Sequence, residues 1–491
     1  MRSCPVLFVI LVSLGVLTLF LATLVHSAEP AARANIVFIL ADDLGWNDLG
    51  CYGRSEHHTP NLDRLAREGL RFTCAYVAQP ICSPSRAAIL TGKAPARLHL
   101  TTYLPGRPDC ISQKLLHPAI NQHLLLEEKT IAEYLRDAGY ATACIGKWHL
   151  GGEGFLPIDQ GFDYYHAGNA VTKPSATEGG KGEYDLTRQA IEFIETNRAR
   201  PFFLYLAHNS PHIPYSARTN LVAKNGRAFE PVYAALVETL DDSVSLVLKK
   251  LDEAGLRERT LVILTSDHGG LHVPEGPHPR ITHNTPFRAG KGFLYEGGLR
   301  APLIVRWPGK IQAGAIVNTP VINTDWLPTF LETAGIPVPA QLDGMSVLPV
   351  LLGRDGGGDR QFYWHFPHYT NQGSQPAGAI RMGDWKLIEN YEDGRLELYN
   401  LQRDAGERND LAARESERAA SMQRELSRWR KSVNAQTNYA NPNFNQARYE
   451  ELYVNFVASK FDPLHATRGE WERISIWRRS MDAVLGENRS N

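Results

Sequence analysis

"NIVFILADD", residues 35–43, decides the fold. After Asn35 the stretch stays apolar to Ala41, without the polar alternation of a strand that faces water on one side. Such a run reads as a strand buried on both faces, as in a mostly parallel sheet. It ends on two adjacent carboxylates, Asp42 and Asp43. The same texture recurs in "ATACIG" (141–146), "FFLYLA" (202–207), "LVILTS" (261–266) and "PLIVRW" (302–307). Amphipathic helical patterns over 60–68, 130–138 and 231–254 lie between them, stopped by Gly69, Gly139 and Gly255. Alternating strands and helices predict an α/β fold, with a large mixed, mostly parallel sheet sandwiched by helices.

The chain has 491 residues, enough for one such domain and a smaller one. With 43% hydrophobic and 21% charged residues it has the composition of a folded enzyme and not of a disordered chain. Lys plus Arg number 52 and Asp plus Glu 53, for a net charge of −1. That balance argues against a nucleic-acid surface, so anion binding must be local. Residues 1–28 carry Arg2, an apolar run over 5–25 and a small-residue exit at Ala28. The pattern matches a secretory signal peptide and predicts a periplasmic or secreted protein. The run is also long enough to span a bilayer, so contact with a membrane is expected only if it stays uncleaved. Outside that segment stand Cys51, Cys74, Cys82, Cys110 and Cys144. An odd count in an exported chain leaves at least one unpaired. Cys82 is the candidate, and the other four allow up to two disulfides.

"GRDGGGDR" (353–360) reads as a flexible linker closing a catalytic domain over 29–352. Beyond it, "AIRMGDWKLIENYEDGRLELYNL" (379–401) alternates short strands with GD and DG turns, and a helical pattern fills 415–433. Residues 353–433 are therefore expected to form a smaller α+β antiparallel subdomain. The Asn-rich 434–446 reads as a second linker, and the tail to 491 has no assigned role. The aromatic and histidine residues of "FYWHFPHYTNQGSQ" (362–375) could line a sugar subsite or pack between the two parts of the chain.

In open α/β sheets, ligands bind beyond the carboxyl ends of the strands. Here those ends deliver Asp42 and Asp43, then Lys147 and His149, then His208 with His212 after a turn, then Asp267 and His268. Singly, each pair could cap a helix or a turn. Four on one edge of a sheet point to a site. Three carboxylates brought together repel unless a cation joins them. That favours a hard divalent ion such as Ca²⁺ or Mg²⁺, whereas His268 is a better ligand for Zn²⁺.

"ICSPSRAAILTG" (81–92) reads as a helix with Pro84 in its first turn, closed by Thr91 and Gly92. Cys82 then lies at the N-terminus, where free N–H groups favour an anion and depress a thiol pKa. Arg86, one turn in, adds a positive fork. A cation on one side and this helix end on the other describe a site for a tetrahedral oxyanion ester.

Cys82-Ser83-Pro84-Ser85-Arg86 through Thr91-Gly92 resembles the signature of the type I sulfatases. "NIVFILADDLGWNDLGCYG", "GYATACIGKWHLG", "PFFLYLAHNSPHIPY", "SDHGG" and "GKGFLYEGGLRAPLIVRWPG" resemble that family's other blocks, in its order. The likeness covers roughly 34 to 430. It implies an alkaline-phosphatase-like α/β domain with a small four-stranded C-terminal domain. It also implies that a maturation enzyme, reading Pro84 and Arg86 in the unfolded chain, oxidises Cys82 to Cα-formylglycine. By the same resemblance Asp42, Asp43, Asp267, His268 and the modified Cys82 would bind one divalent metal. The family's ion is usually Ca²⁺; many members have Asn where this chain has His268, and others carry His. Arg86, Lys147 and His149 resemble the residues that hold and deprotonate the hydrated aldehyde. His212 and Lys291 resemble those that grip the sulfate and assist the leaving group, while His208 has no clear counterpart.

The mechanism so implied is attack of one hydroxyl of the hydrate on sulfur, protonation of the departing alcohol, and loss of sulfate driven by the second hydroxyl. The expected function is release of inorganic sulfate from sulfated carbohydrates. The alternatives are a phosphodiester or phosphonate monoester hydrolase of the same superfamily, and an inactive protein that binds sulfated glycans.

Overall fold

In the computed structural model, which describes residues 33–487 other than Pro279, Gly357 and Gly358, the opening stretch is the centre of the sheet. Strand β1 (Asn35–Asp42) is buried along its whole length. Ile36, Phe38 and Leu40 enter one apolar cluster, and Val37, Ile39 and Ala41 enter another on the opposite face. Two-sided burial explains why the segment shows no alternation.

The remaining strands are β2 (Leu70–Phe72), β3 (Ala141–Gly146), β4 (Tyr164–His166), β5 (Phe202–Pro211), β6 (Thr260–Ser266), β7 (Leu303–Arg306) and β8 (Ala315–Val317). They form an eight-stranded sheet in the order β8-β2-β7-β6-β1-β5-β3-β4. Pairing is parallel from β6 through β4, and antiparallel on both sides of β7. The sheet is mixed and mostly parallel. Helices Pro60–Glu68 and Pro231–Glu253 pack against the face that carries Val37, while Ile131–Asp137 and Trp326–Thr333 lie on the other.

Strand β5 departs from expectation. The sequence suggested an end at Ala207 and a turn before His212, but the strand runs on to Pro211. Its polar end pairs with β1, Asp42 lying opposite Pro211 after a register irregularity. The extension carries His208 inward, fully buried, with Nε2 3.5 Å from Ser243 Oγ. The sequence allowed up to two disulfides; Cys51, Cys74 and Cys144 carry free thiols, so neither forms. Cys144 sits fully buried inside β3, facing the apolar cluster.

Strand β3 stops at a glycine for a steric reason. Gly146 has φ +106°, and a Cβ there would lie 1.9 Å from the Ala207 carbonyl oxygen. The next amide, Lys147 N–H, donates to that same carbonyl at 2.9 Å. Gly146→Ala should therefore destabilise the protein by about 3 kcal/mol or more in chemical unfolding. A loss under about 0.5 kcal/mol would show that Lys147 does not depend on this close approach.

The C-terminal part contains a separate antiparallel sheet of β9 (Gln361–Phe366), β10 (Ala377–Met382), β11 (Trp385–Asn390) and β12 (Leu396–Asn400), joined in sequence order. Helix Ser416–Ser432 covers one face, through Ala419, Met422 and Leu426. Phe362, Trp364 and Phe366 fill the other face against Tyr76 and Val77, and Trp364 Nε1–H donates to Val77 O at 2.8 Å. For these aromatics, packing rather than a sugar subsite is the structural outcome. Lys386 at 2.9 and 2.8 Å from Glu296 and Glu407, all fully buried, adds an ionic tie between the two sheets' surroundings. The segment 434–446 is tied down as well. Tyr439–Ala440 pairs with Leu115–Leu116, and the Asn441 amide donates to Cys110 O and Gln113 O at 3.0 and 2.7 Å.

Residues 1–28, read in the sequence as a signal peptide, lie outside the described residues. Among the described residues no helix is long and apolar enough to cross a membrane.

Candidate active site

Helix Cys82–Thr91 begins at the cysteine, with Ile81 as an extended N-cap residue and Gly92 left-handed at φ +66° beyond its end. All ten of its residues are buried. Its first turn abuts the carboxyl ends of β1 and β6. Ser85 Oγ–H donates to the Asp267 carbonyl, and Asn323 Nδ2 donates to Ser85 Oγ at 2.8 Å.

Around the Cys82 sulfur the ends of β1 and β6 meet. Sγ is 3.7 Å from Asp42 Oδ1 and 3.2 Å from His268 Nε2. Ligand atoms of Asp42, Cys82, Asp267 and His268 lie within 4.8 Å of one another. The same holds for Asp42, Asp43, Cys82 and His212, which brings His212 in as a further donor. His268 Nδ1 lies 3.0 Å from Gly269 O. A proton on Nδ1, donated to that carbonyl, leaves the Nε2 lone pair facing the cluster.

Cations flank this group. Lys147 Nζ donates to Asp42 Oδ2 at 2.5 Å. Lys291 Nζ donates to both oxygens of Asp43, at 2.8 and 2.9 Å. Arg86 spends its fork on Asp267, with Nε and Nη2 at 3.0 and 2.9 Å from Oδ2, and gives Nη1 to Lys147 O at 2.8 Å. It holds a carboxylate and a backbone carbonyl in place. Asp43 adopts φ +68° and is fixed by its N–H to Asp267 Oδ1 and by Tyr233 O–H to its carbonyl.

Burial alone would push the Cys82 thiol up, but Lys147 and Lys291 hold it well below its ordinary range. The thiol is lowered, and the groups that lower it are the two lysines. Asp42 is likewise held low despite burial, by Lys147, His212 and Arg86. Asp267 goes the other way, to about 6, because burial and the Asp42 charge outweigh His268 and Arg86. His268 is raised to about 9 despite burial, by Asp267, Cys82 and Asp43. A carboxylate pushed toward its acid form beside an imidazole pushed toward imidazolium marks a buried cluster short of positive charge. Oxygen, imidazole and sulfur donors in that electrostatic state fit a divalent cation.

Two expected residues make no hydrogen bond to the Cys82 sulfur. His212 Nε2 lies 3.8 Å from Asp43 Oδ2 while its Nδ1 is 2.5 Å from Ile213 O, and burial lowers it to about 4. His149, at φ +59°, places Nε2 2.9 Å from Leu104 O and has Nδ1 buried without a partner; it forms no hydrogen bond with Cys82. Sequence reasoning missed the supports. Ser85 sits inside the motif yet has an ordinary hydroxyl, and Tyr233 comes from a helix whose pattern signals only packing.

The family model described as sulfatase matches residues 34–336, and that of the N-sulphoglucosamine sulphohydrolase C-terminal region matches 289–434. Arylsulfatase A of Homo sapiens is 37% identical over 400 residues, covering 72% of this chain and 75% of its own. N-acetylgalactosamine-6-sulfatase of Canis lupus familiaris is 33% identical over 449 residues, covering 79% and 84%. Among solved structures, Ps i-CgsB in complex with k-i-k-neocarrahexaose superimposes with a TM-score of 0.71 at 27% identity, covering 92% of this chain and 99% of that one.

Proposed function

The chain belongs to the sulfatase family and is a sulfuric ester hydrolase, and from that premise we propose that it releases sulfate from sulfated carbohydrates through a formylglycine made from Cys82. The observation that carries this reading is the Cys82 sulfur itself. It lies at a buried helix start between Asp42 and His268, with Lys147 and Lys291 held beside it through the paired aspartates. The relative solved with a carrageenan oligosaccharide supports a carbohydrate substrate. The N-terminal pattern 1–28 supports action outside the cytoplasm, in the periplasm or as a secreted enzyme. We read 29–352 as the catalytic part and 353–433 as the smaller antiparallel subdomain.

Asp42, Asp43, Asp267, His268 and residue 82 would hold the divalent ion, Ca²⁺ by family and Mg²⁺ or Zn²⁺ as alternatives. When bound, that ion would supply Lewis-acid activation of the attacking oxygen and charge stabilisation at the sulfate. As a hydrated aldehyde, residue 82 would supply one oxygen to attack sulfur and a second to expel the sulfate afterwards. The side chains divide the remaining work. Lys147 and Lys291 stay protonated, each raised by its aspartate against the effect of burial, and so neutralise charge developing on the sulfate oxygens. Arg86 keeps Asp267 and the Lys147 backbone in register. For the departing alcohol, Lys291 enters with a proton to give, whereas His212 is held neutral by burial. Lys291 is therefore the favoured donor. His149 can accept a proton at Nδ1, since Nε2 is engaged with Leu104 O.

The test is release of inorganic sulfate from a panel of sulfated oligosaccharides, set against phosphate release from matched phosphate esters. Sulfate release should win throughout. A reversed preference would favour the phosphodiester or phosphonate hydrolase. Binding without any turnover, by protein shown to carry the modified residue, would favour the glycan-binding reading.

A further inference from the structure

Arg107 is more than nine-tenths buried and has no carboxylate within ion-pair distance among the described residues. Its Nη1 donates to Asn371 Oδ1 and its Nη2 reaches only the Cys110 sulfur, at 3.9 Å. Its Nε has no hydrogen-bond partner. A guanidinium removed from water without an anion is unfavourable, and the usual remedy is a counter-ion.

The position of this residue relates it to the reaction. Arg107 sits on the loop leaving the reactive helix, and Leu104 in that loop is pinned on both sides of the site. Leu104 N–H donates to Ser83 Oγ at 3.1 Å, next to Cys82, and its carbonyl lies 2.9 Å from His149 Nε2. Tyr103, in the same loop, hydrogen-bonds Asn371 and feels the charges of Arg107, Glu275 and Lys291. From the other direction, a Cβ on Gly292, directly after Lys291, would lie 2.9 Å from Gln372 Oε1. Gln372 donates its amide to Glu275 at 2.7 Å, and its Oε1 is buried without a partner. A buried line of side chains therefore runs from Lys291 through Gln372 and Asn371 to Arg107, with an unused acceptor and an unused donor along it.

We propose that Arg107 takes a second acidic group of the substrate, a sulfate or a carboxylate, while the ester to be cleaved sits between Lys147 and Lys291. The proposal rests on the carbohydrate-sulfatase reading. Guanidinium is suited to it, since its planar fork meets sulfate or carboxylate oxygens in pairs. Gln372 Oε1 would accept a hydroxyl of the ring between the two acidic groups.

Binding is best measured by calorimetry on Cys82→Ala protein, where turnover cannot intervene. The probes are a disaccharide with one sulfate, the same with a second sulfate, and the same with a uronic carboxylate in place of that second sulfate. At least one doubly charged probe should bind about ten- to a hundredfold more tightly than the singly charged one. The tighter of the two identifies the group. Arg107→Gln should bring the probes within about threefold of one another. Asn371→Asp gives the guanidinium a permanent anion, so it should erase the same preference while keeping or raising the melting temperature. That variant decides the matter if Arg107→Gln fails to fold. A preference that survives both substitutions, or an equal weakening of all probes, would overturn the proposal. If no sulfated disaccharide binds while a sulfated phenol does, the carbohydrate reading has failed, and this inference with it.

Discussion

Cys82→Ser, made in a host whose maturation enzyme accepts only cysteine, should turn over at most about once and then hold its sulfate as a serine ester. A serine hydroxyl at the start of helix Cys82–Thr91 would stand between Asp42 and His268, beside the same lysines, so attack on sulfur remains feasible. What it lacks is a second oxygen on the same carbon to expel the sulfate. The steady-state rate should fall by at least about 10⁴-fold. Intact-mass analysis should show the added sulfate on the peptide containing residue 82. In the parent protein from a competent host, that peptide should show loss of H₂S and gain of one oxygen, and Cys82→Ala should be inactive. Multiple turnovers by the serine variant, with residue 82 unmodified, would refute the formylglycine mechanism.

Removing a single carboxylate should be nearly as severe, and two aspartates should differ in how. Asp42→Ala should abolish turnover, by about 10³-fold or more, and lower bound cation well below one per chain by elemental analysis. Its main partner Lys147 keeps some contact with solvent, at 17% side-chain exposure, so the fold should largely survive. Asp267→Ala should lose metal and activity too, but it also takes from the fully buried Arg86 its 2.9 Å partner and leaves only Asp42, at 3.7 Å, to offset the guanidinium. Breaking a buried ion pair costs about 3–5 kcal/mol, and even part of that is visible as early unfolding in denaturant. Full activity in protein stripped of metal would sink the assignment of both residues. Finding zinc in place of calcium would change only the ion.

The central strands were legible because burial on both faces leaves an unmistakable apolar run, and the carboxyl ends of those runs carried Asp42, Asp43, Lys147, Asp267 and His268 to one edge. The end of β5 was not legible. Its residues 208–210 are polar yet buried, stabilised by pairing with β1 and by contacts such as Ser210 with Glu183, which leave no periodic trace. The turns GD and DG disclosed three strands of the small sheet. The fourth, Gln361–Phe366, presents the same aromatic residues that a sugar site would, and only its partners Tyr76 and Val77 decide the matter. Roles that depend on who meets whom stayed hidden. Arg86 looks in sequence like a grip for the anion, and in space its donors are taken by Asp267 and Lys147.

Every residue of the helix that begins with Cys82 is buried, packed against β1 and β6 and closed over by loop 101–107. Any enzyme that oxidises this cysteine must therefore act before the chain closes. If residue 82 is modified as proposed, modification and folding would run as a race with a deadline. A molecule that folded first would keep its thiol for the life of the fold, however long it was later incubated with the maturation enzyme. Specific activity would become a record of timing during synthesis. Two preparations with identical melting curves could differ severalfold in rate. Slowing closure, for example with a destabilised β3–β5 contact, would raise the active fraction while lowering the stability of every molecule.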